Sequence, residues 1–316
     1  MGYKPIRITP KSHDEWLKAR EEGIGASEVA TILGLNPWES PFQLYLRKTH
    51  QVPPTEENEA MLMGHLLEDA VAKRWEIETG EKVIKASAAD IIYVHPEHPY
   101  MRVTPDRIVT GRKKLVECKT TNLELGQTIP DHWLCQTTYQ MYVTGIHDCD
   151  LAYLRNGREF GIYHVAYDEA LANLLAERVT DFWTGNVLKE VEPEPVNSAD
   201  ITTMFPSSDP GSVILADGDA LGQWQELYEV NLRIKELEAE AESLKERLKV
   251  YMLDRESLVD GDGNVLISWK TGAGKASFDS KSFKADHPEM YAGYLRTVPG
   301  ARTFLVKKPK ERKAKK

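Results

Sequence analysis

Hydrophobic positions along this chain change period repeatedly, and each change predicts a different kind of element. Ser12-His13-Asp14-Glu15 has the S-x-x-E spacing of a capped helix start and predicts a helix to about Arg20. Gly23-Ile24-Gly25 breaks it, and Ala26-Ser27 opens a second helix that Gly34 and Asn36-Pro37 stop. Ser40-Pro41 predicts a third, with a serine cap ahead of a first-turn proline. A long helix is expected over 57–79, ended by Gly80, with Leu62, Leu66, Leu67, Ala70 and Val71 as its apolar stripe.

The period then shortens. Extended segments are expected at 82–85 and 90–95, followed by a hairpin that carries Thr104-Pro105-Asp106, a turn at 111–114 and a strand at 115–119. Helical periodicity returns over 130–144 and ends at Gly145. Strands at 150–155 and 160–167 flank an Asn156-Gly157 turn, and 168–184 reads as a helix. Helices, a mixed sheet, a helix and more sheet predict an α/β fold over residues 1–188.

Composition changes at residue 189. The stretch 189–214 is proline-rich and reads as a linker or wrapping arm. Beyond it Leu227, Val230, Ile234, Leu237, Ala241, Leu244, Leu248 and Tyr251 alternate steps of three and four, a heptad seam with charges between its positions. That pattern suits a helix packed on its own domain as well as one packed on another molecule. The C-terminal region 215–306 therefore reads as this helix plus a small α+β unit at 258–306, with a turn at 259–265 and a short helix near Ser282. Residues 307–316 form a basic tail with seven basic and one acidic group, able to touch phosphates without sequence preference.

Bulk properties narrow the class. Hydrophobic content of 41% and charged content of 28% are those of a globular protein. No apolar run has the length of a membrane span and the N-terminus shows no signal-peptide core, so a cytoplasmic protein that does not contact membranes is expected. The three cysteines, Cys118, Cys135 and Cys149, lack metal-type spacing and read as reduced thiols, with Cys118 and Cys135 buried. Net charge is −9, against a protein that coats nucleic acid by bulk attraction. The acidity is concentrated in residues 51–206, where 25 acidic groups face 14 basic ones, as a site built on carboxylates requires.

Candidate chemistry lies in the hairpin. On a strand, side chains two apart share a face, so Glu117 and Lys119 project together while Val116 and Cys118 point into a core. With Asp106 on the partner strand, two carboxylates and an ammonium suit a hard divalent cation and an activated water; an E-x-K triplet alone is usually a surface salt bridge. Glu68, one turn after Gly64 on the long helix, is an additional carboxylate for that site or a solvated helix residue. Gly64 would let another element approach closely. Arg20 and Ser27 flank the Gly-Ile-Gly break: a helix start and a guanidinium suit an anion, and a serine there also simply caps. Trp133, Gln136 and Gln140 lie at i, i+3 and i+7 on one helix, where a glutamine can hold water or a phosphate oxygen. The indole stacks on a base or belongs to the core.

Taken in order, Arg20 with GIGASEVATILG, G-x-x-x-E at Gly64 to Glu68, TPD at Thr104 to Asp106, ECK at Glu117 to Lys119 and W-x-x-Q ahead of MYVTG resemble the lambda-type phage exonucleases. They resemble more closely the YqaJ-like viral recombinase group of the PD-(D/E)xK nuclease superfamily, over roughly residues 10–185. That resemblance implies a restriction-endonuclease-like mixed sheet flanked by helices. It also implies Mg²⁺-dependent 5′-to-3′ digestion of double-stranded DNA, leaving 3′ single strands for phage-type annealing recombination.

By position it implies Asp106, Glu117 and the backbone carbonyl of Cys118 as ligands for one or two Mg²⁺ ions, with Mn²⁺ substituting, and Glu68 as a further acidic group beside them. Lys119 orients or deprotonates the attacking water, Gln136 assists at the water or scissile phosphate, Arg20 and Ser27 hold the 5′-phosphate, and Trp133 contacts DNA. Partners implied are DNA ends, a homo-oligomeric ring (a trimer foremost) and a single-strand annealing protein, in a bacterial host cell and with a phage or prophage origin. Residues 190–316 have no counterpart in the compact lambda-type enzymes. Two other readings stand beside this one. One is a Cas4-like or endonucleolytic enzyme of the same superfamily, although the Cas4 type holds an iron–sulfur cluster through four cysteines. The other is a noncatalytic module that binds DNA ends and recruits partners.

Overall fold

The chain folds as two units, Met1–Met204 and Phe205–Lys316. The computed structural model describes residues 3–53, 58–85, 91–126, 128–298 and 300–309, the side chain of His13 excepted. The first unit opens with strand β1 (Ile6–Ile8) and helix α1 (His13–Glu21), whose cap Ser12 accepts the Glu15 N–H at 3.2 Å. The second expected helix is short: one 3₁₀ turn at Ala26–Glu28 followed by α2 (Val29–Ile32). Gly25, not Ser27, stands at its cap, and the Glu28 carboxylate reaches back to the Gly25 N–H at 2.8 Å. Helix α3 (Pro41–Lys48) starts on Ser40 as its S-P pair predicts.

Helix α4 (Glu59–Thr79) ends on Gly80 in the left-handed region. The start expected at residue 57 lies outside the described residues. Strands β2 (Val83–Lys85), β3 (Ile92–Val94), β4 (Arg102–Val103), β5 (Arg107–Val109) and β6 (Leu115–Thr121) follow. The segment expected at 90–95 is seen from 91 onward, residue 90 being outside the described set. Helix α5 (Asp131–Thr144) ends on Gly145, strands β7 (Asp148–Arg155) and β8 (Glu159–Ala166) join through Asn156-Gly157 with both residues at positive φ, and α6 (Glu169–Asp181) closes the core.

The main sheet runs β2-β5-β6-β7-β8 and is antiparallel except for β6 beside β7. A parallel pair needs a crossover, and α5 supplies it. Helix α4 covers one face, with Val71 and Trp75 packed on Val109, Val116 and Ala152. Helix α5 covers the other, with Trp133 and Met141 packed on Leu115, Cys149 and Leu151. This mixed sheet between helices is the restriction-endonuclease-like fold expected above. A smaller sheet, β1-β3-β4, joins the N-terminal segment through Ile24, whose N–H donates to the Tyr100 carbonyl at 2.7 Å. A Cβ at Gly23 would stand 2.2 Å from that carbonyl oxygen, so this position requires glycine.

The apolar stripe expected on α4 is only half right. Val71 is buried, but Leu62 and Leu66 are exposed and Ala70 faces solvent. Burial starts only with Val71, and Val71, Ala72 and Trp75 are the residues that meet the sheet. Gly64 faces β6, yet a Cβ there would meet only the Thr120 hydroxyl at 4.0 Å, so close approach does not demand it.

Within 189–214, helix α7 (Ser198–Met204) is docked on the core. The fully buried Asp200 accepts the Ser40 hydroxyl at 2.7 Å and the Val196 N–H at 3.2 Å, and Met204 packs on the main hydrophobic cluster. The second unit contains α8 (Gly218–Met252), the hairpin of β9 (Ser257–Val259) and β10 (Val265–Ser268), and two short helices, α9 (Ser280–Asp286) and α10 (Pro288–Gly293). In the basic tail, residues 310–316 lie outside the described set.

Candidate functional site

Strand alternation places Glu117 and Lys119 on the α5 face of β6, with Val116 and Cys118 on the α4 face. Lys119 Nζ lies 2.7 Å from Glu117 Oε1 and donates to Gln136 Oε1 at 2.8 Å. Gln136 donates its own N–H to Glu117 Oε1, which closes a ring of three side chains. The other oxygen of Glu117 accepts Gln140 Nε2 at 2.8 Å. Glu117 is 2% exposed, so this carboxylate is held in a buried socket by two amides and an ammonium.

Asp106 sits just before β5, and its Oδ2 accepts the Cys118 N–H at 2.8 Å, which ties it to the strand that carries Glu117. Burial and the nearby Glu117 and Glu68 carboxylates push Asp106 well above the ordinary carboxylate range, against the pull of Lys119. For Lys119, burial works to lower the ammonium, but Glu117 and Asp106 outweigh it and hold it above its ordinary value. Burial likewise pushes the Cys118 thiol up, so it stays protonated. Cys118 is half-buried, whereas Cys135 and Cys149 are buried, and all three are free thiols.

Glu68 reaches this end of the sheet from α4 through Arg107. The buried Arg107 guanidinium bonds Glu68 and Asp69 and also donates to the Asp106 backbone carbonyl at 2.7 Å. Arg107 is the site residue that sequence reasoning did not single out; Gln140 was grouped with Trp133 and Gln136 but given no role of its own. Gln140 carried a signal, its helical spacing to Gln136. Arg107 carried none beyond its place after Asp106.

Trp133 needs correction. It is buried, and its ring belongs to the cluster under α5, so it is not open to a base. The exposed indole here is Trp38, 75% exposed, which meets the His132 ring edge-on at 5.6 Å. Burial and the Lys119 ammonium both lower His132, which puts this aromatic pair beside the carboxylate site.

Arg20 and Ser27 belong to a separate cluster. The Arg20 guanidinium stacks on Trp16 at 4.7 Å and lies against Gly25, while Ser27 is exposed in the first turn after it. The buried Glu28 carboxylate pairs with Lys48 and Arg47 at 2.8 Å each, and Arg47 also holds Glu39 at 2.9 Å. Burial opposes the Glu28 charge, but Lys48, Arg47 and Arg20 overcome it and hold the carboxyl at about 2. Among these five groups three cations face two carboxylates, which leaves a surplus positive charge.

A divalent cation has two places to be tested. At the β5–β6 end, the crowded carboxylates of Asp106 and Glu117, with Glu68 nearby, fit Mg²⁺ or Mn²⁺ by donor chemistry: they repel one another until a cation separates them. On the α4 face, Asp148, Asp150 and His164 bring ligand atoms within 4.8 Å of one another. There the Lys114 ammonium already stands 2.8 Å from Asp150 and 3.5 Å from Asp148, and Trp75 Nε1 donates to Asp150 at 3.0 Å. That cluster also braces strands against helix, with a protein cation beside it as Lys119 stands beside Glu117.

Comparison with known proteins gives the chain relatives. Residues 15–147 match the YqaJ-like viral recombinase domain. The protein YqaJ of Bacillus subtilis (strain 168) is 32% identical over 292 residues, spanning 89% of this chain and 90% of YqaJ. The part left out is too small to contain the second unit, so the likeness extends past the core. Among solved structures, the alkaline exonuclease LHK-Exo from Laribacter hongkongensis is 22% identical, with 56% of this chain and 94% of that one covered and a TM-score of 0.45. A phage related exonuclease from Haemophilus somnus 129PT is 13% identical, with 53% and 96% covered and a TM-score of 0.40. By its identity to YqaJ over nearly the whole of both chains, this protein belongs to the YqaJ-like viral recombinase family.

Proposed function

We propose that the chain is a metal-dependent nuclease that digests double-stranded DNA from a 5′ end and leaves a 3′ single strand for annealing recombination. The observation that carries this reading is the buried Glu117 socket: Lys119, Gln136 and Gln140 converge on one carboxylate, beside an Asp106 crowded toward its neutral form. Such crowding costs stability and serves chemistry that needs negative charge in one place. Asp106, Glu117 and the Cys118 carbonyl hold the ion or ions, with Glu68 positioned behind Arg107. A bound Mg²⁺ supplies Lewis acidity at the phosphoryl oxygen and acidifies its water.

The protein residues supply the rest. Hydrolysis adds water across the P–O3′ bond, so one proton leaves the water and the 3′-oxygen gains one. Lys119, held charged by Glu117 and Asp106, orients the nucleophile and offsets charge on the phosphate; Gln136 fixes Lys119 in that place. Arg20 and Ser27, in the cluster with surplus positive charge, take the terminal 5′-phosphate. Trp38 on His132 offers the stacking face first assigned to Trp133. Duplex DNA ends are the substrate partner; a ring of copies and a single-strand annealing protein are the assembly partners of this reading.

Digestion of linear duplexes bearing 5′-phosphate or 5′-hydroxyl ends, in Mg²⁺ and then in EDTA, tests it. Cleavage is expected only with Mg²⁺, faster from the phosphorylated end, and with that preference lost in Arg20→Ala. Equal digestion of both ends by the wild type removes the 5′-phosphate site, and digestion that persists in EDTA removes the metal.

A further inference from the structure

The carboxylate site contains a buried guanidinium that the hydrolysis described above does not use. Arg107 opens β5, and its register partners Val116 and Lys85 put its side chain on the α4 face, opposite to Glu117 and Lys119. There the side chain is 4% exposed. Its Nη1 serves two groups at once, Glu68 Oε1 from α4 and the Asp106 backbone carbonyl at 2.7 Å, while its Nη2 donates to Asp69. The Lys85 ammonium adds a looser contact, 4.0 Å from the same Glu68 oxygen and 3.9 Å from Asp69.

Taking a guanidinium out of water is costly unless charged partners replace the solvent, and two carboxylates do so here. The effect on the site is electrostatic. Glu68, Asp69, Asp106 and Glu117 bring four negative charges to one end of the sheet, against two positive ones on Arg107 and Lys119. These two cations divide by face: Lys119 answers Glu117 on the α5 side and Arg107 answers Glu68 on the α4 side. Glu68 cannot offer the oxygen that Arg107 holds without breaking a charge-assisted bond to a buried group. If it does, Arg107 retains Asp69 and the Asp106 carbonyl as partners, so the start of β5 stays anchored.

We propose, resting on the metal-dependent reading given above, that Arg107 is a built-in counter-ion that competes with the divalent cation for Glu68. It thereby sets how tightly the site binds that ion. Arg107 is a positioning residue in this role: it acts through Glu68 and the Asp106 backbone, not on the phosphate.

Calorimetric titration of Ca²⁺ into the EDTA-treated, dialysed full-length protein tests it without turnover. Arg107→Met is expected to bind Ca²⁺ about 10-fold more tightly than the wild type, since an opposing charge and a competitor are both removed. In a Glu68→Gln background there is no carboxylate to compete for, so the same substitution should gain no more than about 2-fold. A residue that only held the fold together would lower the affinity when removed. Thermal unfolding gives a second readout. In EDTA Arg107→Met should melt below the wild type, and Ca²⁺ should raise its midpoint by more than it raises the wild type's. Arg107→Gln can still bond Glu68 and the Asp106 carbonyl without the charge. It should gain affinity in the same direction and serves where the methionine variant does not fold. Equal or weaker Ca²⁺ binding by these variants, or an equal gain in both backgrounds, overturns this proposal alone. Absence of Ca²⁺ binding by the wild type overturns it together with the metal-dependent reading.

Discussion

Three side-chain donors meet on Glu117, and they do not contribute alike. In the proposed reaction Lys119 carries charge to the phosphate, so Lys119→Ala is expected to lower kcat by at least about 100-fold while duplex binding, measured in Ca²⁺, stays unchanged. Gln140 touches only the buried oxygen of Glu117, so Gln140→Leu should cost about 10- to 100-fold through a misplaced carboxylate, with Mg²⁺ affinity falling in step. A Gln140→Leu enzyme with wild-type Mg²⁺ dependence would refute that positioning role. Glu28 gives the pH prediction. Its folded carboxyl is depressed to about 2 from an ordinary 4.5, so its stabilisation is complete above pH 4.5 and lost as pH falls toward 2. Glu28→Gln is expected to cost on the order of 3 kcal/mol at pH 7 and to flatten the acid limb of stability between those values.

At this scale the sequence was legible where backbone geometry fixes a side chain's face. Strand alternation placed Glu117 and Lys119 together, and Asp106 followed from the hairpin. It failed where facing depends on an element far along the chain: Arg107 gains its meaning only from Glu68 on α4. Trp133 failed for a different reason. Three helical steps leave two side chains only about 60° apart, so spacing alone does not tell which of Trp133 and Gln136 faces the site and which enters the core.

Elements were legible through their ends more than their faces. Ser40-Pro41, Gly80, Gly145 and Asn156-Gly157 each marked a boundary that the chain obeys, because caps and positive φ are local properties. The facing of α4 was not local. Its N-terminal half has apolar residues at helical spacing, yet the sheet accepts only Val71, Ala72 and Trp75. The two halves should therefore respond differently to substitution. Leu66→Ser is expected to change unfolding free energy in urea by less than about 0.5 kcal/mol. Trp75→Ala should cost about 3–5 kcal/mol, because it empties a fully buried site and removes the indole donor from Asp150. Similar costs at both positions would mean that the exposed half has a partner in solution. The helix expected from Ala26 opens as a 3₁₀ turn at Ala26–Glu28 before α2, and Glu28 and Gly25, not Ser27, make that start.

For the whole molecule, the composition change at 189 suggested where the core ends, but composition is blind to a single buried contact. Asp200 lies inside the proline-rich stretch and is wholly buried against Ser40, the residue that caps α3. Helix α7 is thus a strap on the core, and the chain up to Met204 is one compact unit. A protein ending at Met204 is expected to keep Mg²⁺-dependent cleavage and a thermal midpoint within about 2 °C of the core transition of the full chain. One ending at residue 188 removes the acceptor from a buried hydroxyl and uncovers the apolar surface under Met204, at a cost of about 2–4 kcal/mol. At about 2–4 °C per kcal/mol for a unit of this size, its midpoint should fall by roughly 4–16 °C. Calorimetry of the two truncated proteins separates the cases: coincident midpoints would show that Asp200 is a bystander, and a lowered midpoint at 188 alone that the strap belongs to the core. Ser40→Ala in the full chain should reproduce part of that loss. It removes both the Asp200 contact and the cap on α3 while leaving every residue of the Glu117 socket in place.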